Sequence, residues 1–245
     1  MGRITETVKV LLVINIIFFV GSQFLGDYAY QLFSLWFFEN ENFQAWQVVT
    51  HMFMHGGFMH ILFNMYALWA FGSPIEQMLG QKRFLFFYFS AGLGAAVLHS
   101  LVNFYTYESG INELLNAGMS MNGIQELLQT GQYNTAILNS VSRDTLQDLY
   151  MSFNTPAVGA SGAIYGILVA FGMMFPNVEL FLLFVPVPVK AKYFIPGLIL
   201  LDLFSGVTGY SIFGGGIAHF AHVGGALFGF IMMWYWKRNQ FNRWN

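Results

Sequence analysis

The chain has 245 residues, of which 56% are hydrophobic, 19% aromatic and only 9% charged. Because an average soluble domain has roughly 25% charged residues, this composition excludes an ordinary soluble protein and indicates an integral membrane protein. The net charge of -2 and the scattered basic residues argue against nucleic-acid partners, and the absence of Cys excludes disulfides and thiolate metal sites.

Six apolar runs have about the 20 residues that a helix needs to cross the hydrocarbon layer of a bilayer. The first follows Arg3 and Lys9 as a signal peptide would, but no small-residue cleavage site comes after it, so we expect a retained anchor. The sequence therefore predicts an all-α membrane protein, a single domain over residues 1–245 with a bundle of six transmembrane helices. The predicted spans are approximately residues 8–26, 57–75, 84–104, 157–175, 193–209 and 217–236.

The basic residues indicate how these spans are oriented. Nearly all of them lie on one side of a six-span arrangement, and the positive-inside rule makes that side, with both termini, cytoplasmic. Residues 27–56 and 105–156 then form long outer loops, of which the second should contain short amphipathic helices. The run from Val178 to Pro188 is too short to span and should form an interfacial or re-entrant connection. We predict a multi-pass protein of the cell membrane, either plasma or inner.

A serine and a histidine stand among glycines near the outer ends of the fourth and sixth spans. At about 1.5 Å per residue, Ser161 and His222 lie at a similar depth, roughly 5 to 8 Å from the ends of their helices. Small residues one turn apart let membrane helices approach closely. Such pairs are Gly162 with Gly166, and Gly225 with Gly229. Helix packing alone would explain the glycines, but a hydroxyl within reach of an imidazole also makes a nucleophile and its general base, which we favour.

On the second span, His60 and Asn64 are four residues apart and therefore share one helix face. Acyl transfer builds an oxyanion, and preorganised hydrogen-bond donors can stabilise it by about 3 kcal/mol each. Both side chains are candidate donors. The alternative is a polar clamp between helices, a common use of His and Asn in membranes.

Other polar residues carry weaker predictions. His51 and His55 are spaced as metal ligands can be, but no third ligand is evident, so hydrogen bonding in the loop is the favoured interpretation. His219 lies one turn before His222 and is its main rival as the base. Asp202 is an intramembrane carboxylate and thus a functional candidate by default, but a place near the outer end of the fifth span favours a partly hydrated, structural group.

The motifs together resemble the rhomboid intramembrane serine proteases, in the bacterial six-span form. The resemblance covers roughly residues 8–236 and rests on HILFN at 60–64, GASG at 159–162 and AHVGGALFG at 221–229, in the family's order. It implies Ser161 as nucleophile and His222 as general base without the usual acid. The other residues that it implies are His60 and Asn64 in the oxyanion hole, Tyr165 packed on the catalytic imidazole, and Gly159 and Gly162 as supporting residues.

The resemblance also implies a function, the cleavage of transmembrane proteins near the outer membrane face by the dyad of Ser161 and His222. The implied partners are those substrates, often single-pass, and membrane lipids, with no cofactor, metal or nucleic acid. Substrate helices would arrive laterally past the fifth span, beneath a glycine-rich cap at 207–216. The alternatives are a catalytically silent rhomboid-like binding protein and a small transporter, the latter disfavoured because no internal repeat is evident.

Two positions bear on the first outer loop. Gln47 stands where the family often has Arg, and because Gln makes no bidentate charged contact we expect a less rigid loop. Glu76 matches a family position that ties this loop region together through polar contacts.

Overall fold

A computed structural model of the chain describes residues 3–182, 185–210 and 218–241, which are predominantly helical. The α helices are α1 (Glu6–Leu25), α2 (Asp27–Phe33), α3 (Gln47–Thr50), α4 (Phe58–Ala67), α5 (Ser73–Leu79), α6 (Gln81–Asn116), α7 (Met121–Thr130), α8 (Arg143–Asn154), α9 (Ser161–Met174), α10 (Ala191–Thr208) and α11 (His219–Phe241). A π turn at Leu68–Gly72 joins α4 to α5. The strands are β1 (Glu179–Leu182) and β2 (Val185–Lys190).

Each of the predicted spans overlaps a helix, so the prediction of a helical membrane protein is confirmed in this coarser form. By length and composition α1, α6 and α10 can cross a membrane, and α9 is a shorter apolar helix. Large apolar side chains stand exposed on the outside, with Phe24 of α1 at 85% and Val207 of α10 at 71%. Such a surface suits contact with lipid rather than water. The number of crossings and the side of the termini stay predictions.

The start of α9 differs from the predicted span, because residues 157–160 form a bridge and a turn rather than helix. Ala157 pairs with Leu35 in an antiparallel bridge, with reciprocal N–H···O=C bonds of 2.9 and 2.8 Å. This bridge ties the segment before α9 to the first outer loop, so the helix begins only at Ser161.

The short apolar run after α9 contains two paired strands. Strand β1 pairs antiparallel with β2, with Glu179 opposite Lys190 and Leu182 opposite Val185. The run has alternating Val and Pro residues in β2, which favour extended backbone and disfavour a helix interior. The predicted connection between spans thus contains a two-stranded antiparallel sheet.

The close contact predicted between the fourth and sixth spans is confirmed between α9 and α11. A Cβ added at Gly225 would overlap the carbonyl of Gly162, and one at Gly229 would overlap the backbone of Gly166. Helix α6 joins the same contact, since a Cβ at Gly224 would lie 2.9 Å from the carbonyl oxygen of Gly94. The glycines therefore let three backbones meet at a distance that no larger residue permits.

The second outer segment folds as an outer cluster with a hydrophobic core of its own. Helix α6 continues to Asn116, well past the predicted end at residue 104, and packs against the amphipathic helices α7 and α8. Ser120 and Ser142 cap these two helices by accepting N–H bonds of 3.2 and 3.0 Å. The fully or nearly buried core residues are Phe37, Tyr107, Leu114, Ile124, Leu127, Leu128, Val141, Leu146 and Leu149. The prediction of short amphipathic helices is confirmed, but the extension of α6 was not foreseen.

Gln47 is fully buried and organises the first outer loop through hydrogen bonds, while the rigidity of that loop stays a prediction. Its Nε2 donates to the carbonyl oxygens of Gln31 and Asn42, each at 2.8 Å, while its Oε1 accepts the N–H of Gln44 at 3.1 Å. A neutral amide has both donors and acceptors, so it satisfies backbone groups of both kinds without burying a charge.

Glu76 lies in α5 and contacts the start of α1 rather than the first outer loop. Its carboxylate accepts the backbone N–H groups of Thr7 and Val8, at 3.0 and 2.9 Å, and the hydroxyl of Thr5. These are the free N–H groups at the start of α1, where a negative charge also meets the positive end of the helix dipole. Glu76 therefore ties α1 to α5.

Candidate active site

Ser161 is the first residue of α9, so its hydroxyl lies beside the free N–H groups and the positive dipole end of that helix. The chain reaches it through Gly159, whose φ of +124° is a conformation that side-chain-bearing residues rarely adopt. The N–H of Gly159 donates to the carbonyl of His51 at 2.9 Å, which holds the turn in place. Gly159 therefore allows the sharp turn that places Ser161 at the start of α9.

His222 is the residue that meets this hydroxyl. Its Nε2 lies 2.8 Å from Oγ of Ser161, and its ring stacks on that of Tyr165 with centroids 4.2 Å apart and an interplanar angle of 11°. Tyr165 follows Ser161 by one turn of α9, so a single helix supplies both the hydroxyl and the aromatic surface. The structure therefore brings together three of the residues that the sequence singled out.

His60 points its Nε2 towards the same turn. The N–H of Gly56 donates to Nδ1 of His60 at 3.3 Å, so a neutral ring carries its proton on Nε2. A Cβ at Gly159 would lie only 2.8 Å from that Nε2, which shows how closely the ring approaches the backbone before Ser161. The absence of a side chain at Gly159 thus leaves the Nε2–H facing the turn.

Asn64 is one turn further along α4 and is buried. Among the described residues, its Nδ2 has no hydrogen-bond partner. A buried donor without a partner is rare in folded proteins, and a catalytic role is one explanation for such a group. No polar clamp between helices is formed by Asn64 within the described part of the chain.

The prediction that Asp202 is partly hydrated is wrong, because the residue is buried, with 6% of its surface exposed. Its Oδ1 lies 3.1 Å from Nδ1 of His222 and 2.6 Å from Nδ1 of His219. The hydroxyl of Tyr165 donates to its Oδ2. A carboxylate within an apolar stretch was the only sequence signal for a role of Asp202. Its partners lie on other helices, so the sequence does not predict them.

Asp202, His219 and His222 are also the one trio of possible metal ligands in the described part of the chain, with ligand atoms within 4.8 Å of one another. Two ligands about 2.0 Å from a tetrahedral zinc stand roughly 3.3 Å apart. The separation of 2.6 Å between His219 Nδ1 and Asp202 Oδ1 is instead that of a charge-assisted hydrogen bond. The arrangement therefore fits a hydrogen-bonded network better than a metal site.

His51 and His55 hydrogen-bond to the backbone, as the favoured interpretation had it. His51 Nδ1 lies 2.8 Å from the carbonyl of Gln47, and His55 Nδ1 lies 3.2 Å from that of Phe53. Burial lowers the pKa of each to about 4, and the neighbouring His60 contributes to the lowering at His55. Both rings are therefore neutral at physiological pH, and His51 also positions Gly159.

Comparison with known proteins extends the match beyond these motifs. A family model described as the Rhomboid domain matches residues 42–239. The mitochondrial presenilin-associated rhomboid-like protein of Mus musculus is 30% identical over 184 residues, which are 75% of this chain and 35% of that protein. The mitochondrial presenilin-associated rhomboid-like protein A of Danio rerio is 28% identical over 189 residues, 77% of this chain and 36% of that protein. The mitochondrial rhomboid protein 1 of Saccharomyces cerevisiae is 26% identical over 188 residues, 77% and 41% of the two chains.

The chain thus spans between 35% and 41% of the length of these relatives. Their names place them in mitochondria, so they lend no support to the predicted location in the cell membrane. The match to the Rhomboid domain supports an integral, multi-pass membrane protein. The family model covers α4, α9 and α11, the helices that carry Asn64, Ser161 and His222. On this match over most of its length, the chain belongs to the rhomboid family of intramembrane proteases.

Proposed function

We propose that the chain is an intramembrane serine endopeptidase with Ser161 as nucleophile and His222 as general base. The observation that carries this proposal is the 2.8 Å separation of Ser161 Oγ from His222 Nε2. A base within about 2.6 to 3.2 Å of a hydroxyl can remove its proton as the oxygen attacks. Both groups lie within a helical bundle whose outer surface is apolar, so the peptide bond that they cut belongs to a membrane-embedded protein.

The reaction follows the order of acyl transfer. Oγ of Ser161 bonds to the carbonyl carbon of the substrate while Nε2 of His222 takes the hydroxyl proton. The tetrahedral intermediate then expels the amine, which receives that proton from His222, and an ester to Ser161 remains. His222 next removes a proton from water, the resulting hydroxide adds to the ester carbon, and Ser161 leaves with the proton restored.

Two donors are suited to the developing oxyanion. His60 carries its proton on Nε2 beside the Ser161 turn, and Asn64 offers an Nδ2 that is buried without a partner among the described residues. Hydrogen bonds from preorganised donors in a water-poor site become stronger as negative charge develops on the oxygen. The donors already point at that oxygen and need not reorient during the reaction. The free N–H groups at the start of α9 add to the same field.

The substrates we propose are single-pass transmembrane proteins that are cut near the membrane face at which α4 and α9 begin, the predicted outer face. A small cavity beside Ser161 is lined largely by Gly and Ala, including Gly92, Ala95 and Gly162. It fits a substrate with a small side chain next to the cut bond. We propose lateral access past α10, whose outer face is apolar; the predicted cap at 207–216 lies mostly outside the described residues.

A cleavage assay separates this proposal from its alternatives. The purified protein is reconstituted in vesicles with a single-pass reporter that has small residues near one end of its helix. We expect cleavage to fall by at least about 1,000-fold in Ser161→Ala and His222→Ala, and to stay within about twofold in the surface control Ser140→Ala. Undiminished cleavage in Ser161→Ala would contradict the proposal.

The other outcomes identify the alternatives. A wild-type protein that binds the reporter without cutting it would be a silent binding protein. One that neither binds nor cuts it leaves the transporter to be tested by solute uptake. Cleavage that survives in His222→Ala and is lost in His219→Ala would move the base to His219.

A further inference from the structure

The resemblance to rhomboid proteases implies a base that works without an acid partner, yet a carboxylate lies behind His222. We infer that Asp202 is a positioning residue that orients His222 and keeps its proton on Nδ1, so that Ser161, His222 and Asp202 act as a triad. This inference rests on the proposed function. It deepens that function, because it adds a third member to the site.

The geometry places the three groups in line. Nε2 of His222 faces Ser161 Oγ at 2.8 Å, and its Nδ1 faces Asp202 Oδ1 at 3.1 Å. A neutral imidazole has one N–H and one bare nitrogen, and only the bare nitrogen can accept the serine proton. An ionised carboxylate is a pure acceptor, so it selects the tautomer with the proton on Nδ1 and leaves Nε2 free to act as base.

The carboxylate is itself held in place by two further donors. His219 Nδ1 lies 2.6 Å from the same Oδ1, and the Tyr165 hydroxyl donates to Oδ2. A carboxylate can accept about four hydrogen bonds, so His222, His219 and Tyr165 fit together on it. Tyr165 serves twice, because its ring also stacks on His222. The carboxylate and the ring that it orients therefore share a single rigid support.

Helix packing makes this arrangement possible. Asp202 is on α10, Tyr165 is on α9, and both imidazoles are on α11 one turn apart. Gly206, one turn beyond Asp202, lies against α11 so closely that an added Cβ would stand 3.0 Å from the ring of Phe220. A buried carboxylate is costly unless it is hydrogen-bonded, and here three donors from two neighbouring helices satisfy it.

The first test compares Asp202→Asn with Asp148→Asn, the same change on the exposed face of α8. The amide can donate to Nδ1 of His222 and so favour the tautomer that cannot act as base. We expect kcat for the reporter to fall by at least about 100-fold in folded Asp202→Asn, with KM little changed, and Asp148→Asn to match wild type. A kcat within about twofold of wild type in a folded Asp202→Asn protein would overturn the inference.

The second test needs no variant at Asp202 and therefore holds even if that variant fails to fold. In wild-type protein labelled with 15N at histidine, the His222 signals are assigned from their loss in His222→Ala. We expect the 15N shifts to show a protonated Nδ1 and a bare Nε2 at neutral pH. A proton on Nε2 in the resting protein would refute the positioning role.

Failure of the inference and failure of the proposed function give different results. If the proposed function is wrong, the wild-type protein does not cut the reporter or cuts it without Ser161. If only the inference is wrong, cleavage depends on Ser161 and His222 but not on Asp202, or the tautomer is the opposite one.

Discussion

The site and the outer cluster are stabilised in different ways, although α6 contributes to both regions. At the site, glycines bring α9 and α11 into backbone contact, and hydrogen bonds connect Ser161, His222 and Asp202. In the outer cluster, α7 and α8 bury apolar side chains such as Leu127 and Leu149 against the end of α6. The function of the site therefore depends on distances between particular atoms, whereas the stability of the outer cluster depends on the apolar area that it buries.

The largest effect is expected from a methyl group at the backbone contact of the site. In Gly225→Ala the new Cβ would overlap the carbonyl of Gly162, and the helices must move apart. We expect complete loss of cleavage and a fall in Tm, because overpacking of a tight contact costs about 1 to 3 kcal/mol or more. Thermal unfolding and reporter cleavage measure both. The control is Gly197→Ala on α10, where an added Cβ meets nothing within 4 Å and the protein should behave as wild type.

Removal of one oxyanion donor should have the next largest effect. Asn64→Ala deletes a buried Nδ2 that has no partner among the described residues, so little stability should be lost with it. We expect kcat to fall by about 100- to 1,000-fold with KM little changed, as for other oxyanion-hole donors. Steady-state kinetics with the reporter measure kcat and KM of this variant. A large loss of Tm with unchanged kcat per folded molecule would instead mark Asn64 as a structural clamp.

A smaller effect is expected at the support of the triad. Tyr165→Phe keeps the ring that stacks on His222 but removes the hydroxyl that donates to Asp202. Since one charge-assisted hydrogen bond is worth about 1.5 kcal/mol, we expect kcat to fall by about tenfold. Tyr165→Leu, which removes the stacking as well, should fall further. Equal rates in the two variants would show that the hydroxyl contributes everything and the ring nothing.

The smallest effect on chemistry is expected in the outer cluster. Leu149→Ala leaves a cavity beside Gly110 and should destabilise the packing of α8 by about 2 to 5 kcal/mol. Hydrogen exchange should therefore accelerate in α7 and α8, while kcat for the reporter stays within about twofold of wild type. A loss of kcat as large as that of Asn64→Ala would show that the two regions are not separate in the way proposed.

The site could be read from the sequence further than the loops could. The lengths of the apolar runs predicted the helices. The glycine pairs predicted the contact between α9 and α11 that brings Ser161 and His222 together. The extension of α6 carries a signal that was available, since Tyr107, Gly110 and Leu114 recur at helical spacing after the apolar run ends. The length of the apolar run does not predict where α6 ends, because a helix that leaves the bilayer no longer needs apolar residues on every side.

Other features depend on contacts that no local pattern contains. The donors around Asp202 come from α9 and α11, so only the packing of three helices shows that the carboxylate is satisfied. Gln47 likewise gains its role from carbonyl groups scattered along the first outer loop. A comparison of Gln with Arg by charge alone therefore does not predict these hydrogen bonds.

The most direct test of the central claim is to map the adduct that a fluorophosphonate forms with the folded protein. An activated serine oxygen displaces fluoride from phosphorus, and mass spectrometry of the peptides identifies the residue that carries the phosphonate. We predict one adduct, on Ser161, and its loss in His222→Ala and in Ser161→Ala but not in Ser140→Ala. An adduct on another serine, or labelling of Ser161 that does not depend on His222, would contradict the account.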